Sequence, residues 1–160
     1  MDKPAQTKNV FISHVHEDDD GLGKLKALLA ENGMNIRDYS INSSNPNNAK
    51  SEDYIKSEIL APRIRDCSTL IVYITPQTKD SHYVNWEIEY AQKEGKTIIG
   101  VWARGEKGCE IPQALADYAD SMVVGWHGES IIKAINGQGE SWEDFEGKPS
   151  THRDIKRYSC

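Results

Sequence analysis

Hydrophobic residues occur along this chain in two kinds of pattern. Short, continuous apolar runs predict buried β-strands at residues 9–13, 34–41, 69–75, 97–102 and 121–126. Segments in which apolar residues recur every three or four positions predict amphipathic helices at residues 22–29, 51–64, 84–94 and 129–135. Pro62 lies inside the second helix and predicts a kink or a break there. Continuously apolar strands that alternate with helices indicate a parallel sheet covered on both faces.

The order of these elements predicts an α/β fold. Five strands in this alternation favour a flavodoxin-like, three-layer arrangement, with a five-stranded parallel sheet in the order 2-1-3-4-5 and helices on both faces. We predict that residues 9–136 form this domain and that residues 1–8 are a short N-terminal extension. Residues 137–160 are predicted to be a polar C-terminal tail, and its aromatic residues would pack the tail against the domain.

In such a sheet, ligands bind where strands 1 and 3 diverge, beyond their carboxyl ends. The residues predicted to line this crevice are Ser13, His14, the loop at 42–48, Thr75 and Glu87. The loop is rich in Asn, Ser and Pro, so we expect it to be mobile or to lie at a protein contact.

Composition narrows the classes of partner and compartment. The chain has 160 residues and a formal net charge of −6, which argues against nucleic acid or an anionic membrane as the main partner. No apolar run approaches the roughly 20 residues needed to span a bilayer. The first residues contain no apolar signal segment, and three widely spaced cysteines suggest free thiols in a reducing compartment. We therefore expect a cytoplasmic protein.

Two glutamates on the predicted helix at 84–94 differ in their surroundings. Glu89 precedes Lys93 by four residues, the favoured order for a helical ion pair, so a solvated salt bridge explains it. Glu87 has Tyr83 at i−4 and no cation facing it along the helix. Spacing alone leaves two interpretations open: an ordinary exposed glutamate, or a carboxylate at the ligand crevice.

Other sequence motifs argue against a glycine-loop nucleotide-binding protein, a metal site and a receiver domain. The chain contains neither a G-x-G-x-x-G nor a G-x-x-x-x-G-K-[ST] motif, so it lacks the usual nucleotide-binding glycine loops. His14-x-His16-x-Asp18 mimics a metal-binding motif, but further ligands are scarce and Asp18 also suits a helix N-terminus. We predict no metal. A phosphate-accepting receiver domain would need an aspartate at the end of strand 3, where this chain has Thr75-Pro76.

Two segments at the expected separation resemble the TIR domain. Residues 10–14 read VFISH and resemble the opening TIR strand, [VI]-F-[IL]-S. Residues 81–88 read SHYVNWEI and resemble the TIR pattern S-x-W-[CV]-x-x-E-[LI], with Tyr83 in place of the usual tryptophan. The resemblance covers about residues 8–135 and is to the TIR-like proteins of prokaryotic antiphage defence, the Thoeris ThsB type.

The resemblance implies an enzyme that cleaves the nicotinamide–ribose bond of NAD. It implies that Glu87 is catalytic, that Ser13, His14, Thr75 and Tyr83 bind the substrate, and that NAD is a substrate with no further cofactor. The product would be ADP-ribose or a cyclic isomer that signals to a downstream effector. Self-association through the domain is also implied, with the 42–48 loop of a neighbour closing the pocket.

Two alternatives remain open beside this hypothesis. One is a non-catalytic TIR scaffold that only assembles with partners. A nucleoside deoxyribosyltransferase-like enzyme also uses a glutamate on a flavodoxin-like sheet. The intact Glu87 within the matching motif favours an enzyme over a scaffold.

Overall fold

A computed structural model describes residues 6–15, 19–38, 55–103, 111–117, 122–136, 142–143 and 149–150. Its centre is a five-stranded parallel sheet in the order β2-β1-β3-β4-β5. The strands are β1 (Gln6–Ser13), β2 (Met34–Asp38), β3 (Thr69–Ile74), β4 (Thr97–Trp102) and β5 (Met122–Val124). The predicted fold class and strand order are confirmed.

Helices cover the sheet on both faces, as continuously apolar parallel strands require. They are α1 (Asp19–Glu31), a π-helical turn (Ile55–Leu60) that leads into α2 (Ala61–Asp66), a 3-10 turn (Thr78–Asp80), α3 (His82–Lys93), α4 (Gln113–Asp117) and α5 (Gly128–Ile135). No helix in the described ranges has both the length and the apolar composition needed to cross a membrane.

Strand β3 separates two hydrophobic cores. Leu70, Val72 and Ile74 point into one core, with residues of α2, α3 and α4. Ile71 and Tyr73 point into the other, with residues of α1 and α5. Because side chains alternate across a strand, the unbroken apolar run of β3 supplies both cores at once.

The central strands are held in a fixed register. Val10 of β1 lies opposite Asp38 of β2 on one side and Thr69 of β3 on the other. Ser13 lies opposite Val72, so β1 and β3 run side by side toward the same edge of the sheet. This edge is where the sequence predicts the ligand crevice.

Several boundaries differ from the prediction. β1 begins at Gln6, three residues before the predicted start, because Gln6 to Lys8 pair through their backbone with β2 and need no apolar side chain for that. β5 is shorter than residues 121–126 and extends only over Met122–Val124. Pro62 falls in the first turn of α2, where a missing N–H is tolerated, and the helix changes from π to α just before it. The predicted break is therefore a change of helix type.

Parts of the prediction lie outside the described residues, including the 42–48 loop and the last residues of the predicted second strand. In the predicted tail, β6 (Trp142–Glu143) and β7 (Pro149–Ser150) form an antiparallel pair. β6 lies beside β5. Docking of the tail by its aromatic side chains stays a prediction.

Helix α4 packs so closely on β4 that position 100 requires a glycine, and this can be tested. A methyl group there would lie 2.9 Å from Leu115 and 3.0 Å from Ile74, too close for ordinary contacts. We expect Gly100→Ala to lower the free energy of unfolding by about 1–3 kcal/mol, because the added carbon overpacks the core. Gly23→Ala on the exposed side of α1, where nothing lies within 4 Å, should instead raise it by up to about 1 kcal/mol. Denaturant unfolding measures both changes, and equal effects would contradict this packing.

Candidate active site

Glu87 is carried by α3, and the start of that helix is set by Ser81. The Ser81 hydroxyl oxygen accepts a hydrogen bond from the backbone N–H of Val84 at 3.2 Å, as an N-cap residue does. Val84, Ile88 and Ala91 then form the predicted apolar stripe and are fully buried. Glu87 lies beside this stripe, so the helix turns its side chain inward.

The Glu87 carboxyl group contacts the end of strand β1. The Ser13 hydroxyl donates a hydrogen bond of 2.6 Å to Glu87 Oε1. Ser13 is 0% exposed and Glu87 is 6% exposed. The interpretation of Glu87 as an ordinary exposed glutamate is therefore wrong, and two of the predicted crevice residues lie in direct contact.

Burial changes the acidity of this carboxyl group. Removal from water disfavours the charged form and raises the pKa of Glu87 from 4.5 to about 8, while the Ser13 hydrogen bond acts in the opposite direction. In the free protein at neutral pH the group is therefore mainly protonated. A cation bound next to it would favour the ionised form.

A hydrogen-bonded turn follows β3 and involves Thr75. The Thr78 hydroxyl donates to the Tyr73 carbonyl at 3.1 Å and accepts from the Thr75 N–H at 2.9 Å. The Thr75 hydroxyl donates to Gln77 Oε1 at 2.9 Å. Thr75 thus helps to build the loop that leads to α3, and its predicted contact with substrate stays a prediction.

Asn85 fixes the first turn of α3 in place. Its side-chain Nδ2 donates to the carbonyls of Lys79 and Ser81, at 3.2 and 3.0 Å. Its Oδ1 accepts from the backbone N–H of Ala114 in α4, at 3.0 Å. Asn85 therefore joins α3, the preceding loop and α4. This role of Asn85 is not visible in the sequence, because the short helix α4 leaves no clear periodic pattern.

His14 and Tyr83 are the two remaining residues that were predicted to bind substrate. His14 is half-buried, and its Nδ1 donates to the Ile12 carbonyl at 2.8 Å, since a carbonyl oxygen can only accept. Tyr83 is half-buried with its ring edge-on to His82, and the Lys56 ammonium lies 5.8 Å from its ring centroid. Binding of substrate by His14 and Tyr83 stays a prediction.

The outer face of α3 carries a separate surface groove of about 370 Å³. The groove is lined by Lys56, Asp80, His82, Asn85, Trp86 and Glu89. Glu87 does not line it, because Glu87 points to the buried side of the helix. We therefore place the candidate site at the Ser13–Glu87 contact and not in this groove.

The alternative metal motif falls only partly within the structure. His14 is described, whereas His16 and Asp18 are not. Among the residues that are described, no three His, Cys, Asp or Glu side chains come together as metal ligands.

The sheet order and the buried carboxyl group at the edge of β1 define a TIR-like α/β domain. The family model of the Thoeris protein ThsB, TIR-like domain, matches residues 11–108. The chain belongs to this family, and the resemblance deduced from the two sequence segments is confirmed.

Two individual proteins are also similar to this chain. A protein of Cytobacillus dafuensis named as a candidate cyclic ADP-D-ribose synthase, TIR2, is 29% identical over 110 residues, or 66% of this chain. The match spans only 28% of that protein's length. The solved structure of the Clostridium botulinum CMP N-glycosidase BcmB is 22% identical, with a TM-score of 0.42 over 59% of this chain and 71% of that one.

The raised pKa of Glu87 predicts how stability depends on pH. The folded protein binds this proton more tightly than the unfolded chain, so its stabilising contribution is complete below about pH 4.5 and is lost as pH rises through about 8. Glu87→Gln stays neutral throughout. We expect its stability relative to the wild type to increase from pH 5 to pH 8 and then to level off.

Thermal unfolding from pH 5 to pH 9 measures this difference. Glu89→Gln is the matched control, because Glu89 is exposed on the same helix. Its unfolding curve should run parallel to that of the wild type. If Glu87→Gln also ran parallel to the wild type, the carboxyl group would not be buried as described.

Proposed function

We propose that this domain cleaves the nicotinamide–ribose bond of NAD and forms an ADP-ribose-derived signal nucleotide in antiphage defence. Glu87 is the catalytic residue in this proposal. The observation that carries it is the buried Glu87 carboxyl group at the carboxyl edge of β1, held by Ser13. Membership of the ThsB family, and the name of the Cytobacillus dafuensis relative, support the choice of NAD.

A single carboxylate suits this reaction. The nicotinamide ring of NAD is cationic while it is attached to ribose. When the bond between the ribose carbon and the ring nitrogen breaks, the nitrogen keeps the electron pair and nicotinamide leaves as a neutral molecule. No general acid is needed. The ribose carbon gains positive charge, as in other glycosyl transfers, and a fixed anion stabilises it.

The acidity of Glu87 fits a cationic substrate. In the free protein its pKa of about 8 keeps the group mainly neutral, which lowers the cost of burying it. A bound nicotinamide ring would bring a positive charge close to the carboxyl group and favour its ionised form. The anion would then be present when the substrate is bound, and binding would release a proton.

The acceptor of the ribosyl group decides the product. Attack by water gives linear ADP-ribose, and attack by a group of the same nucleotide gives a cyclic isomer. We propose a cyclic product, on the strength of the relative's name. In this account the product is sensed by a downstream effector, and self-association of the domain completes the pocket.

Glu87→Gln should abolish NAD cleavage, because glutamine keeps the shape of the side chain without its negative charge. A loss of about 10²-fold or more is expected for one preorganised electrostatic group. Nicotinamide release, measured by chromatography over a wide range of protein concentrations, tests this. The range is needed because self-association is part of the proposal.

Glu89→Gln is again the control, and it should release nicotinamide almost as fast as the wild type because Glu89 lies on the outer face of the helix. If both variants lost nicotinamide release to the same extent, Glu87 would not be the catalytic residue. A wild-type protein that releases no nicotinamide at any concentration, with or without lysate from phage-infected cells, would favour the non-catalytic scaffold.

A further inference from the structure

Ser13 lies in the candidate site but is placed to act on Glu87. We propose that Ser13 is a positioning residue, whose buried hydroxyl fixes the orientation of the Glu87 carboxyl group and stabilises its ionised form. This inference rests on the proposed function of Glu87. It differs from the expectation that Ser13 binds substrate, because the hydroxyl donates its one proton to Glu87.

The geometry of the contact is that of a strong hydrogen bond. The separation of 2.6 Å between Ser13 Oγ and Glu87 Oε1 lies at the short end of the range of about 2.5–3.0 Å for O–H···O hydrogen bonds. The same separation also suits a hydroxyl that donates to an ionised carboxylate. Both side chains are buried, so little water competes for either group. A rotation of the carboxyl group away from Ser13 would break this bond.

The anchor itself is rigid. Ser13 is the last residue of β1, and it lies opposite Val72 of β3 at the centre of the sheet. Its position is thus fixed by backbone pairing, whereas Glu87 is carried on a separate helix. Ser13 binds Oε1, and no other described residue hydrogen-bonds to the Glu87 carboxyl group. In this proposal Oε2 is the oxygen that faces the substrate.

Charged and titratable groups on the neighbouring elements have other partners or positions. His14 after β1 bonds the Ile12 carbonyl, and Lys56 lies over the rings of Tyr83 and Trp86. Other charged side chains on the described elements have contacts of their own, such as Arg65 at Tyr90, Asp80 in the outer groove and Asp117 at Gln113. Burial and the Ser13 hydrogen bond are the causes that set the pKa of Glu87.

The test compares Ser13→Ala with the wild type in kcat/KM for NAD as a function of pH, which reports groups of the free enzyme. Without the hydroxyl, the ionised form of Glu87 loses its donor. The rise of kcat/KM with pH should therefore move to higher pH by on the order of one unit. Near pH 7 the variant should therefore be about tenfold lower in kcat/KM, and raising the pH should restore most of the loss.

Two variants serve as controls. Thr69→Val removes another buried hydroxyl, at the opposite end of β3, and should leave the pH profile unchanged. Ser13→Thr keeps a hydroxyl and should restore the profile toward that of the wild type. If Ser13→Ala does not fold, Ser13→Cys keeps the shape of the side chain with a weaker donor and should give a smaller shift.

A second measurement needs no NAD turnover. The pH at which stability responds to Glu87 is found by comparing thermal unfolding of Ser13→Ala with that of Ser13→Ala/Glu87→Gln. The midpoint pH of this stability difference should be higher than the midpoint for wild type against Glu87→Gln, by about the same shift as in the kcat/KM profile. If this midpoint shifts but the protein releases no nicotinamide, Ser13 still stabilises the ionised form of Glu87, and the proposed function is rejected.

Two results would overturn the inference. A raised KM with an unshifted pH profile would make Ser13 a substrate contact. A uniform loss of stability at all pH values, with no shift in either profile, would make its role purely structural.

Discussion

A carboxyl group inside a protein must find its hydrogen bonds there, and in this domain Glu87 finds one at Ser13. The contact joins the end of β1 to a helix that begins 69 residues later in the chain, at His82. It forms only if β1 and β3 are neighbours and α3 packs with its apolar stripe on the sheet. The position of the carboxyl group therefore depends on the whole sheet order and on the start of α3.

Other contacts serve the same placement. Ser81 begins α3, Asn85 fixes its first turn to α4, and Thr78 shapes the loop that leads into it. Gly100 lets α4 approach β4 closely, which sets the surface against which this turn rests. None of these residues hydrogen-bonds to the carboxyl group. Together they make the helix a rigid carrier, as a preorganised electrostatic site requires.

The sequence predicted the sheet well, because apolar strands and amphipathic helices leave strong local patterns. It also placed Glu87 on the correct helix and Ser13 at the end of the correct strand. It did not predict that the two would touch, since their pairing is a tertiary contact over 74 residues. The burial of Glu87 could not be predicted either. Helical spacing identifies which residues are neighbours on the same helix, but not which residues of the sheet pack against them. The turn at Thr78 and the helix α4 were missed because each is too short to show a period.

The proposed role of Glu87 requires a buried acid that becomes ionised when a cationic substrate binds, and a titration of Glu87 itself measures this. Carbon-13 NMR of protein labelled at the glutamate carboxyl carbons follows each group with pH. One signal, absent in Glu87→Gln, should titrate near pH 8 in the free protein. A carba analogue of NAD, which keeps the cationic ring and cannot be cleaved, should move that midpoint to lower pH. If every glutamate titrated in the ordinary range, Glu87 would not be buried as described, and if the analogue left this signal unchanged, substrate binding would not ionise it.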